Sequence, residues 1–146
     1  MPVFKDGDAE LMLSEIVRVT RPGGRVGIAV RAIDMPFWVN LSLEPALKAK
    51  VDAPGIIGGG AAPKGVADMS LYRRLAALGL TGLRCFPQLV SVVPGSERIE
   101  RYEQQILAAL TLGETEQWRQ AVTAAKADGT FFITQAYHCA VGSKPG

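Results

Sequence analysis

Residues 8–20 (DAELMLSEIVRVT) put Leu13, Ile16, Val17 and Thr20 at helical spacing and run straight into Pro22-Gly23-Gly24. Proline cannot continue a helix, and a glycine here supplies the positive φ that turns the chain out of it. Asp8 is placed to cap the start, and the acids Asp8, Glu10 and Glu15 precede Arg18 and Arg21, as the helix dipole prefers. The segment that follows, Arg25–Ile33 (RVGIAVRAI), is mostly apolar, the pattern of a strand covered on both faces. A helix, a sharp turn and a buried strand in that order confine the chain to the α/β class.

The rest of the sequence extends the alternation. Pro36 is placed to open a helix that Pro45 would break or restart, and 54–66 (PGIIGGGAAPKGV) reads as loop. Asp68 or Ser70 caps a helix over Leu71–Leu78, stopped by Gly79. A strand is expected over Leu83–Val93, at a sheet edge or bulged, because Pro87 has no amide to donate. Ser96 starts a helix to Leu110 with Ile99, Tyr102, Ile106, Leu107 and Leu110 on one side. Another spans about Glu114–Asp128 to Gly129, and the last strand is expected over Thr130–Val141. The 146 residues suit a single domain, yet three strands are few for an independent α/β fold.

Charge narrows the partners. Sixteen Lys and Arg against 14 Asp and Glu give +2, mixed along the chain, where a nucleic-acid binder concentrates its basic residues. No apolar run approaches the roughly 18 residues of a membrane span, and Met1–Asp8 lacks the pattern of a secretory signal. Cys85 and Cys139 make neither a disulfide framework nor a zinc spacing, and both are expected as buried, unreactive thiols. The expectation is a cytoplasmic protein without nucleic-acid or membrane partners.

Leu13–Ser14–Glu15–Ile16–Val17–Arg18–Val19–Thr20–Arg21–Pro22–Gly23–Gly24–Arg25 resembles the helix-to-strand junction of class I S-adenosylmethionine-dependent methyltransferases, which leads into the fifth strand of their sheet. Leu71–Tyr72–Arg73–Arg74–Leu75 to Gly79, with the strand after it, resembles their helix and sixth strand. Gly129–Thr130–Phe131–Phe132 to Gly142–Ser143–Lys144–Pro145 is similar to the antiparallel seventh strand. The resemblance implies a partial Rossmann-like fold: a three-stranded mixed sheet in family order 5-7-6, helices on both faces, residues 1–146 standing for the C-terminal half.

It also implies what is missing. The family binds S-adenosylmethionine on its first strand, the glycine-rich turn after it and an acid ending the second strand, and no strand precedes the Arg25 strand here. Gly58–Gly59–Gly60 is no substitute: a G-x-G-x-x-G beginning at Gly58 meets Pro63 at its last position. No cofactor is expected on this chain alone, although S-adenosylmethionine is implied for the family, and no metal ligands are expected.

By the same resemblance, acceptor contacts come from Arg31–Asn40 (RAIDMPFWVN), with Arg31, Asp34, Phe37 and Trp38 as substrate-binding candidates. Asp34 is the candidate general base, and Phe37 with Trp38 a candidate apolar wall. The plainer reading makes Asp34 a cap beside Pro36 and the aromatics core. His138, the only histidine, is expected to be structural. A last strand starting at Thr130 beside the carboxyl end of the Arg25 strand carries it roughly 25 Å away. Arg73 and Arg74 read as a solvated helix face.

Two functions fit. The chain is the acceptor-side half of a small-molecule methyltransferase, silent until a complementary chain supplies the donor site. Alternatively it is a non-catalytic, self-associating remnant or a small-ligand binder. An open edge on the Arg25–Ile33 strand is a template for pairing, so a homodimer through that edge is expected.

Overall fold

A computed structural model describes residues 6–58 and 68–146. Its elements are α1 (Asp6–Val19), β1 (Arg25–Arg31), β2 (Trp38–Val39), α2 (Pro45–Asp52), α3 (Ser70–Ala77), β3 (Thr81–Val92), α4 (Glu97–Ala108), α5 (Leu112–Asp128) and β4 (Ile133–Ser143). The α/β class holds, and the sheet has four strands rather than three.

Pairing corrects the expected mixed sheet. β4 pairs antiparallel with β1, from Arg25↔Ser143 to Arg31↔Tyr137, and antiparallel with β2 through Trp38↔Thr134 and Val39↔Ile133. β3 also pairs with β4. Thr81 Oγ1 donates to the Ser143 carbonyl and Ser91 Oγ lies 3.5 Å from Thr134 Oγ1, so those two strands also run in opposite directions. The extra strand comes from Trp38–Val39, within the stretch read as a doubtful helix. Pro45 starts α2 as an N1 proline, with Glu44 accepting from the Leu47 amide at 3.4 Å.

The described chain falls into two compact units. The first takes residues up to Asp34, 68 to Gln88, and Ala136 to Gly146; the second takes Met35 to 58 and Leu89 to Gln135. In the first, Ala9 and Leu13 of α1 and Leu71 and Leu75 of α3 pack on Val30 and Ala140. Those two strand residues share one sheet face, because Val30 stands opposite His138, two places from Ala140. The alternate residues of β1, Arg25, Gly27 and Ala29, are exposed. The first unit therefore carries its helices on one face, not both, and the reading of β1 as covered on both sides fails for the same reason. Lys144 Nζ closes this unit by donating to the Arg18 and Thr20 carbonyls at the end of α1, at 3.1 and 2.9 Å.

The second unit surrounds Trp118, with Val39, Leu47, Val51, Ile99, Ile106, Phe131 and Ile133 in the same core. Thr111 and Glu114 form a capping box at the start of α5, and Gly129 ends it in the left-handed region at φ 70°. Part of the 54–66 loop and Gly59–Gly60, with Pro63, lie outside the described residues. Among those described, Gly55 and Gly58 form an isolated bridge.

Candidate active site at the carboxyl end of β1

Register decides what stands at the end of β1. Because Ile133 and Thr134 are taken up by β2, β1 meets only the later part of β4, and Val30 pairs with His138. The expectation of a distant His138 is thus overturned by a shift of the ladder. The strand starts three residues later than read, and its first residues serve a different partner.

Asp34 follows three residues after the last residue of β1. Its Oδ1 lies 2.6 Å from His138 Nε2, and its Oδ2 accepts the Met69 amide at 2.9 Å. His138 Nδ1 lies 2.8 Å from Tyr72 Oη, and the Tyr72 and His138 rings meet edge to face at 5.2 Å. With His138 neutral, its Nε2–H donates to Asp34 while Tyr72 donates its hydroxyl proton to Nδ1. Three elements supply the three groups: the segment after β1, the first turn of α3, and β4.

Exposure orders them. The His138 side chain is 7% accessible and that of Asp34 31%. A buried imidazole satisfied at both nitrogens sits behind a carboxylate that reaches water. Burial pushes the Asp34 carboxyl up, but the hydrogen bond from His138, with the Met69 amide and its own amide, outweighs it and holds the group below its ordinary value. Burial raises the Tyr72 phenol; the Cys139 amide works against that, and charge at Cys85, Cys139 and Asp34 adds to it. Tyr72 accordingly keeps its proton and stays a donor to His138.

Such an array can accept a hydrogen bond and then a proton from a hydroxyl or amine placed against Asp34. Of the other candidates, Arg31 ends β1 opposite Tyr137. Phe37 belongs to the core of the second unit, edge to face with Tyr102 at 5.4 Å, as the plainer reading had it. Trp38 is 57% exposed, and Lys48 Nζ stands 5.8 Å from its ring centroid. Cys139 is buried as expected, whereas Cys85 is exposed.

The named strands pair antiparallel, so there is no reversal of strand order between parallel strands at which a nucleotide sits in open α/β sheets. Of the positive-φ glycines, Gly23, Gly79 and Gly129 each follow a helix, and Gly95 lies in the turn between β3 and α4. Among the described residues no group of three or more His, Cys, Asp or Glu could hold a metal, and no helix is long and apolar enough to cross a membrane. No family model matches the chain, and no curated protein matches it.

Proposed function

We propose that this chain is the acceptor side of a small-molecule methyltransferase, with Asp34 as the group that takes the acceptor's proton. One observation carries the reading: Asp34 stands just past the carboxyl end of β1, its carboxylate reaching water and held from behind by His138 Nε2 at 2.6 Å. The resemblance of the sequence puts acceptor contacts in that same segment.

A carboxylate kept below its ordinary pKa is a weak base, and the chemistry suits it. As a hydroxyl or amine gives its lone pair to an electrophile, its own proton becomes acidic, and a weak base in contact suffices to remove it. His138 and the Met69 amide fix the carboxylate's orientation, and its accessible part is open to the acceptor. The donor is held by backbone other than the described strands, through a complementary chain, and the 146 residues alone are catalytically silent.

Calorimetric titration of the purified chain with S-adenosylhomocysteine tests the donor side, and the expected result is no heat of binding. Methyl transfer from labelled donor, assayed with the product of an adjacent coding sequence added, tests the acceptor side. There Asp34→Asn should lower kcat by about a hundredfold or more. Micromolar binding by the chain alone, or full activity of the Asn variant, contradicts the reading.

The non-catalytic alternative draws on a different observation: β1 ends the path β1-β4-β2, so among the described residues its outer edge is unpaired. Two such edges can join antiparallel about a two-fold axis. Sedimentation at micromolar concentration separates a dimer of this kind from a monomer.

A further inference from the structure

Side chains directly opposite in an antiparallel ladder share a face. The register therefore gathers Arg25, Gly27, Ala29 and Arg31 of β1 with Ser143, Val141, Cys139 and Tyr137 of β4 on the face away from α1 and α3. Gly27 confirms the assignment, since a Cβ built there would lie 3.6 Å from Val141. On β3, Leu83 lies against Gly142, which belongs to the helix-covered face. Alternation then puts Arg84 and Phe86 on the open one.

This open face has a definite chemistry. Its floor is small and apolar: Gly27 and Ala29 are exposed, Val141 and Tyr137 half-buried, Cys139 between them buried, and Phe86 is 40% exposed. Its rim is cationic, with Arg25 and Arg31 about 20 Å apart along β1 and Arg84 across the sheet. None of the named residues of this face is a carboxylate, and no ion pair among the described residues uses any of these three guanidiniums.

We infer that this sheet face is a docking surface for an amphipathic helix of a partner protein whose apolar stripe is flanked by carboxylates. Gly27 and Ala29 let a helix backbone come close to the sheet, and Val141, Tyr137 and Phe86 receive its apolar side chains. Arg25, Arg31 and Arg84 meet its carboxylates in forked hydrogen bonds at the edge of the contact. A nucleic-acid platform needs rings at its centre on which bases stack. Here the middle strand, β4, presents a single ring, Tyr137, beside Cys139 and Val141.

The test uses a capped helical peptide with a Leu/Ala stripe flanked by Glu, its twin with Lys for Glu, and oligothymidine, each titrated into the labelled full chain. The Glu peptide should shift the backbone amides of Gly27, Ala29, Tyr137 and Val141. The Lys twin should bind at least about tenfold more weakly. The double variant Arg25→Glu, Arg31→Glu should invert that preference, and Arg84→Glu should weaken the Glu peptide from a second strand. Equal binding of both peptides, or none, overturns the inference. So does tighter binding of oligothymidine, or concentration-dependent self-association that shifts these amides without peptide.

Discussion

His138 Nε2 and Asp34 Oδ1 lie 2.6 Å apart across 104 positions of sequence, and Tyr72 Oη closes on the far ring nitrogen at 2.8 Å. The contact joins β4 to the segment leaving β1, and the Met69 amide brings the start of α3 to the same carboxylate. Truncation at this point removes partners from a buried ring and from a helix terminus together.

Asp34→Ala leaves the His138 Nε2–H and the Met69 N–H without their acceptor. The expected loss is about 1–3 kcal/mol, read from urea denaturation at neutral pH, with the fold retained by far-ultraviolet circular dichroism. A change within error would mean that the carboxylate does not hold these groups.

The same carboxylate makes stability depend on acid. Its pKa in the folded chain lies below the ordinary value, so the unfolded chain binds the proton more readily. The stabilisation is fully present above the unfolded value of about 4 and is lost as pH falls through the lower folded value. Denaturation midpoints of the native chain and Asp34→Asn, compared from pH 7 downward, should converge in that acid range. A gap that widens on acidification has the wrong sign for this account.

Tyr72→Phe keeps the ring that meets His138 edge to face and deletes only the donor to Nδ1. The expected cost is about 1 kcal/mol by denaturation. Tyr72→Leu, which also removes the aromatic contact, should cost more, and equal costs for the two would assign the effect to the hydroxyl alone.

Lys144→Met removes the ammonium that donates to the Arg18 and Thr20 carbonyls while keeping much of the apolar stem. A loss of about 0.5–1.5 kcal/mol is expected, concentrated in faster amide exchange over the last turn of α1. Uniform exchange rates along α1 in both proteins would contradict the capping role.

Much of this fold is legible in sequence because the elements are punctuated. Pro22-Gly23-Gly24 ends α1, Gly79 ends α3, Thr111 with Glu114 opens α5 and Gly129 closes it, each through local backbone chemistry. Periodicity likewise finds Ile99, Tyr102 and Ile106 as the buried face of α4. Long-range register has no such local signal. Nothing near residue 130 says that Trp38–Val39 takes the first rungs of β4, and from that omission follow both the missing strand and the misplaced His138.

The site divides along the same line. Asp34 is legible as an acid just beyond a strand end. Tyr72 is not, because a tyrosine next to Leu71 and near Leu75 reads as packing, and only tertiary structure brings its hydroxyl to His138.

His138 is the only histidine, so its imidazole nitrogens report on the array without ambiguity. Nitrogen-15 spectra of the labelled side chain at neutral pH should show the proton on Nε2, with Nδ1 shifted as a hydrogen-bond acceptor, and Tyr72→Phe should return Nδ1 to the value of a free imine nitrogen. A proton on Nδ1, or averaging between the two tautomers as in a solvated imidazole, would contradict the Asp34–His138–Tyr72 arrangement on which the functional reading stands.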